Sequence, residues 1–266
     1  MTDQQPNQLT GSVPLYKRPE PLTPQEHGSL GVKAAEQPFA FLREAHFVPL
    51  TVAEFQPAGL SYPIIFMGDN YQSAVVMGIN AGENLFVDEQ GRAATTAYMP
   101  AFVRRWPFVL AQDSAADQLV VCIDRDAEVV TDEPEARFFD DQGQLTDFSK
   151  NAVKFCEDFE TERRRTESFV ELMKTHDLFE QKFARFTPRD QAGQPAGEEV
   201  TIADYFGISE AKLNALSPEA LVQLRDNGAL SQIYAHLMSL LNWDALIALA
   251  VERSQRLGAS PAAGHA

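Results

Sequence analysis

The spacing of apolar residues changes once along this chain, near Thr146, and that change limits the folds open to it. Upstream, short runs of β-branched and aromatic residues are bounded by Gly, Asn, Asp or Pro: Phe47–Leu50, Pro63–Met67, Ser73–Ile79, Asn84–Val87 and Gln118–Ile123. Such runs read as strands. Short spacings between several of them suit antiparallel connections, since a parallel crossover needs a dozen or more residues. Downstream, Phe148, Ala152, Phe155 and Phe159, then Phe169 and Met173, recur at helical spacing. Lys150, Lys154, Glu157, Glu160, Arg164 and Glu171 supply the solvated side of that helix, which Asp147 or Ser149 is placed to cap.

Further helices are expected near the C-terminus. Ser217-Pro218-Glu219 puts a capping hydroxyl ahead of a proline at the first helical position, where a missing amide costs nothing. Asn227-Gly228 can end that helix with a left-handed residue. Leu230, Ile233, Leu237 and Leu240 then share one face, and Asn242 is placed to cap a last helix with Leu246, Leu249 and Ala250 inward. The fold class is therefore α+β, a predominantly antiparallel β region followed by helices packed on it. The expected boundaries are a disordered tail over 1–15, one domain over 16–256 and a second disordered tail over 257–266. Within the domain, 16–37 reads as an extended lead-in, 39–145 as β-rich, and 147–256 as helical with a Gly/Pro loop near 187–199.

A short echo links two turns. Phe86-Val87-Asp88-Glu89-Gln90-Gly91-Arg92 and Phe138-Phe139-Asp140-Asp141-Gln142-Gly143-Gln144 share an apolar pair, two acids, a Gln and a Gly. Asp and Gly at those offsets suit a type I turn closed by a left-handed glycine, which makes Asp88 and Asp140 turn formers.

Charge excludes some function classes. Thirty-eight acidic against 22 basic residues give a net charge of -16, which opposes binding to nucleic acid or anionic membrane. The longest basic run, Arg163-Arg164-Arg165, is flanked by Glu160, Glu162 and Glu167. Cys122 and Cys156 are expected as buried free thiols. The N-terminus carries no basic and apolar signal segment, and no uninterrupted apolar run approaches the ~20 residues of a membrane span. A cytoplasmic location is expected, with signal-independent export as the other route.

The densest candidate for a specific contact is Tyr98-Met99-Pro100-Ala101-Phe102-Val103-Arg104-Arg105-Trp106-Pro107-Phe108. Pro100 suits the first turn of a helix, and Pro107 disfavours helix at Trp106, which leaves one or two turns between them. On such a turn Arg104 and Arg105 point about 100° apart and do not grip one ligand side by side. In one reading they recognise a carboxylate or phosphate, with Tyr98 and Trp106 stacking nearby. In the other they pair with the chain's own carboxylates while the rings anchor the segment. His46 and His236 are the accompanying candidates for a binding role, although His236, on an apolar helix, reads first as a core histidine. His27, His46, His176, His236 and His265 are isolated in sequence, so no metal site is expected. Asp88, Asp124 and Asp126 near strand ends are explained by turns. No nucleophile elbow, phosphate loop or dinucleotide fingerprint is present, and no cofactor or catalytic residue is assigned.

Phe47–Leu50, Asn84–Asp88, Tyr98–Phe108, Val121–Asp124 and the closing blocks Leu213–Leu216, Gly228–Leu230 and Tyr234–His236 follow one another in an order that resembles the SapC family of bacterial proteins. The likeness covers roughly Tyr16 to Leu249, and its most specific element is Tyr-x-Pro-Ala-x-x-Arg-Arg-aromatic-Pro-Phe. The family takes its name from a protein associated with a bacterial surface layer, and it is distinct from a similarly named transporter permease. The resemblance implies a non-catalytic interaction or accessory protein linked to cell-surface assembly or uptake. It carries no catalytic residues over to this chain. The expected partner is a protein or an anionic small ligand, with no nucleic acid. The alternative is an enzyme acting on an anionic peptide or small metabolite, with His46 or His236 moving a proton.

Overall fold

The computed structural model describes residues 13–113, 118–188, 194 and 196–258; most of both expected tails, His265 and part of the 187–199 loop lie outside the described residues. In chain order the elements begin with β1 (Pro19–Pro21), α1 (Pro24–His27), β2 (Gly31–Val32), β3 (Phe47–Pro49) and α2 (Phe55–Ala58). They continue with β4 (Ile64–Met67), β5 (Gln72–Val76), α3 (Ala101–Arg104), β6 (Phe108–Asp113) and β7 (Gln118–Asp124). Next come β8 (Val130–Thr131), β9 (Ala136–Arg137), α4 (Asp147–Thr175), β10 (Phe179–Phe186) and β11 (Val200–Ile208). The chain closes with α5 (Glu210–Asn214), α6 (Pro218–Asp226), α7 (Ala229–Ser239) and α8 (Asn242–Leu257). The fold is α+β with antiparallel sheets.

The chain gathers into two compact units, one from Met1–Pro38 and Phe102–Thr161, the other from Phe39–Ala101 and Glu162–Ala266. The first unit holds two three-stranded sheets, ordered β1-β7-β6 and β8-β2-β9. The lead-in supplies β1 and β2, so it is built into both sheets. Leu30, Phe108, Ile123, Phe138, Phe139 and Cys156 form the core, with the Phe108 and Phe138 rings edge to face at 5.5 Å. The first half of α4 contributes Cys156 to that core. The helix is capped by Thr146, whose Oγ1 accepts from the Ser149 amide at 3.3 Å, rather than by Asp147 or Ser149. Ser149 is buried and donates to the Phe138 carbonyl at 2.8 Å.

The second unit is built on one five-stranded sheet, ordered β10-β11-β4-β5-β3. Ile65, Ala74, Val76, Ala184, Tyr205, Trp243 and Leu246 form a core on it. The α7 helix sits over β4 and β11: Ser239 Oγ accepts from the Ile64 amide at 3.0 Å, and His236 Nε2 accepts from the Ile208 amide at 3.0 Å. Strands β10 and β11 correct the expectation of an all-helical 147–256. Along β10 the exposed Gln181, Phe183 and Arg185 alternate with the less exposed Glu180, Lys182, Ala184 and Phe186, which is the two-residue period of a strand. Phe183 stands 46% exposed, which hid the alternation from a search for apolar stripes.

Three smaller expectations are also corrected. Asn84–Val87 is not a strand: the Asn84 side chain, fully buried, donates to the Leu42 carbonyl and accepts from the Phe86 amide, which fixes a turn. Asn242 does not cap α8 but lies in its first turn, donating to the Gly59 and Tyr62 carbonyls at 2.7 and 3.1 Å. Finally, among the described residues Ala229–Arg256 is long and apolar enough to cross a membrane by length and composition, with an 18-residue window of mean hydropathy 1.3. Run length missed it because Gln232, His236, Asn242 and Asp244 interrupt the apolar run. In the structure Ile233, His236, Ser239, Trp243 and Leu246 of this stretch are buried in the second unit.

The echoed turns have one construction, repeated once in each unit. Asp88 Oδ1 accepts from the Gln90 and Arg92 amides, and Asp140 Oδ1 accepts from those of Gln142 and Gln144. Gly91 and Gly143 take φ of 65° and 73°, and single bridges, Val87 to Ala93 and Phe139 to Leu145, close the two turns.

Candidate recognition site

The Tyr98–Phe108 segment carries the chain from the second unit into the first, between Ala101 and Phe102. Each half is fixed by its own unit. In the second, Glu54 is 6% exposed and its carboxylate collects four hydrogen bonds. Oε2 accepts from the Thr51 amide and hydroxyl at 3.1 and 2.8 Å; Oε1 accepts from the Tyr98 hydroxyl at 3.0 Å and the Ala101 amide at 2.6 Å. A buried carboxylate is costly unless its lone pairs are filled, and here the donors fill them while tying the start of α3 to the turn before α2. The Tyr98 backbone is pinned as well: its amide donates to Ser61 Oγ at 3.2 Å, and its carbonyl accepts from the fully buried Tyr62 hydroxyl at 2.7 Å. Burial raises the Tyr62 phenol well above its ordinary pKa, so it remains a donor.

In the first unit the two arginines have different surroundings. Arg104 is exposed, with its guanidinium 5.2 Å from the centroid of the Phe155 ring. Arg105 is 9% exposed and packed among rings, 4.3 Å from Phe102, 4.4 Å from Phe159 and 5.7 Å from Tyr16. Its Nε has no hydrogen-bond partner among the described residues. The expectation that this arginine pairs with a carboxylate gives way to a ring cage, where each well-placed aromatic face returns about 0.5–2 kcal/mol. Tyr16 closes the cage and donates from its hydroxyl to the Phe108 carbonyl at 2.6 Å, at the start of β6. Burial raises the Tyr16 phenol pKa, and the nearby Arg105 charge acts in the opposite direction. The segment is thereby docked on the β1-β7-β6 sheet of its own unit.

The remaining sequence candidates lie elsewhere. Trp106 is half-buried and precedes Pro107 through a cis peptide bond. His46, in the second unit, is partly buried beside Phe47, and burial lowers its pKa. His236 is wholly enclosed, 5.1 Å from the Phe66 ring. Desolvation, aided by Lys182, takes its pKa down to about 3 against a smaller opposing contribution from the Ile64 backbone. A neutral, enclosed imidazole that already accepts from a backbone amide is a structural group. Cys122 and Cys156 are buried free thiols, each raised to about 11 by burial. Asp124 organises a loop, accepting from the Lys17, Arg18 and Asp126 amides.

A groove of about 440 Å³ in the second unit is lined by Asp88, Arg92, Arg253 and Arg256. Its arginines are engaged locally, Arg92 with Asp88 at 2.9 Å, Arg253 with the Asn84 carbonyl at 2.7 Å, and Arg256 with Glu252 at 3.0 Å. A second cavity, of about 150 Å³, lies beside Phe169 and the start of α7, and neither cavity is lined by histidine. Sequence reading missed Glu54, although Thr51-x-x-Glu54 is a capping-box spacing and was there to find. It also missed Tyr16 and Phe159, which no local pattern connects to Arg105.

A family model, SapC, matches residues 22–246, most of the chain. No curated protein and no solved structure matches it.

Proposed function

This chain belongs to the SapC family, and on that footing we propose that it is a non-catalytic interaction protein serving bacterial cell-surface assembly or uptake. It recognises a protein or an anionic ligand through the Tyr98–Phe108 segment. The observation that carries this reading is the division of labour between adjacent arginines: Arg105 is used inside the ring cage of its unit, while Arg104 is exposed at the neighbouring position. An exposed guanidinium whose neighbour in the chain is anchored by packed rings has a backbone already ordered when it binds a carboxylate or phosphate. Two free, buried thiols are in keeping with a reducing compartment, and we place the protein in the cytoplasm on that ground. The enzyme alternative is less favoured because His236 is enclosed and uncharged, and so is poorly placed to exchange a proton with a substrate.

The test is affinity capture from a cell-envelope fraction with wild-type protein and Arg104→Glu, with Arg163→Glu as a surface-charge control. Loss of a specific envelope partner in Arg104→Glu alone supports the reading. Identical recovery by all three proteins overturns the role given to Arg104.

A further inference from the structure

The first unit also brings together three groups that sequence spacing kept apart as unrelated. Glu20 lies on β1, Glu26 and His27 lie on α1, and their ligating atoms all fall within 4.8 Å of one another. His27 is fully buried; Glu26 is exposed, which leaves the cluster open to solvent on one side. The imidazole is held by one turn of backbone. Nδ1 lies 3.2 Å from both the amide nitrogen and the carbonyl oxygen of Thr23, while Nε2 lies 3.0 Å from Glu20 Oε1.

We propose that Glu20, Glu26 and His27 form a binding site for a divalent transition-metal ion of the zinc class. The ring has two tautomers, and Thr23 serves both. With the proton on Nε2, the ring donates to Glu20 and accepts from the Thr23 amide. With the proton on Nδ1, it donates to the Thr23 carbonyl and turns a lone pair toward a carboxylate oxygen only 3.0 Å away. Two lone pairs at that distance need a cation between them, and a metal ion in place of the proton meets the need without turning the ring. A backbone carbonyl holding the far ring nitrogen is the arrangement that orients and strengthens a metal-bound histidine. Bonds of about 2.0–2.2 Å to imidazole nitrogen and carboxylate oxygen place two tetrahedral ligands a little over 3 Å apart, close to the His27–Glu20 separation. The Glu26 carboxylate, within 4.8 Å of both other ligating atoms, would supply the third protein ligand, with water in the fourth position.

Charge favours the same occupant. Arg18 Nη2 lies 3.3 Å from Asp126, while Arg18 Nε and Arg125 Nε approach Glu20 at 3.7 and 3.9 Å. Asp124 binds the backbone of the same loop. The carboxylates of Glu20, Glu26, Asp124 and Asp126 give this corner a surplus of acceptors over the Arg18 and Arg125 guanidiniums that face them, which suits a cation. One imidazole among the ligands selects a zinc-class ion over calcium or magnesium, which prefer all-oxygen sites.

The experiment is calorimetric titration of the metal-stripped full chain with Zn²⁺, repeated with Co²⁺ and read by visible absorption. One equivalent bound by the wild type, a cobalt spectrum of low coordination number, and affinity lowered by about tenfold or more in both Glu26→Gln and Glu20→Gln are expected. Glu26 is exposed, so its variant keeps the fold, and Glu36→Gln serves as a surface control. Absence of stoichiometric uptake by the wild type overturns the proposal. Uptake that survives unchanged in Glu26→Gln and Glu20→Gln does so too, since it places the metal elsewhere.

Discussion

Glu54 is the residue on which the first half of the signature segment depends. Removing its carboxylate takes an acceptor from the buried Thr51 amide and hydroxyl and from the half-buried Tyr98 hydroxyl and Ala101 amide, and a buried donor left unpaired costs about 1–3 kcal/mol. Glu54→Ala is therefore expected to lower unfolding free energy by about 3 kcal/mol or more in urea titration, and an effect under about 1 kcal/mol contradicts the network. His236 makes a prediction about pH. Its pKa falls from the ordinary histidine value to about 3 in the fold, so the unfolded chain takes up a proton that the folded chain refuses. The contribution is complete above about pH 6.5 and is lost as pH falls from there toward 3, by up to about 1.4 kcal/mol per unit. His236→Gln, which keeps an acceptor for the Ile208 amide, is expected to flatten that part of the stability–pH curve; an unchanged slope assigns the dependence to other groups.

At the scale of elements, local chemistry was legible wherever neighbours in sequence settle it. Ser217 accepts from the Ala220 amide at 3.3 Å ahead of Pro218, and Gly228 adopts a φ of 77° between α6 and α7, as the residue types require. No atom lies within 4 Å of where a Gly228 side chain would begin, so Gly228→Ala meets backbone strain alone. It is expected to cost about 1 kcal/mol, measured by thermal or chemical unfolding. A neutral result contradicts the left-handed assignment. The β10–β11 hairpin was not legible, because its strands are made by pairing with each other over eight positions while β10 carries Phe183 outward instead of a clean inward apolar stripe. The same reasoning explains β1 and β2, whose two or three residues carry no pattern of their own and become strands only against β7, β8 and β9. Of the site, the proline-bounded ring cluster was visible in the sequence. The ring that faces Arg105 from α4, Phe159, lies 54 residues away and was not.

For the whole molecule, a charge of -16 makes every arginine a group with many potential carboxylate partners, yet Arg105 is enclosed by rings. That placement is the central claim: the second arginine of the Tyr98–Phe108 segment is packed into its own unit, while the first, Arg104, is exposed. The most direct test is the urea unfolding of Arg105→Ala beside Arg104→Ala. Loss of the buried side chain at 105 empties a caged volume and removes its ring contacts, which is expected to cost about 2–4 kcal/mol. Loss of the exposed side chain at 104 is expected to change stability by no more than about 0.5 kcal/mol. Equal effects at the two positions, or the larger effect at Arg104, would contradict the account.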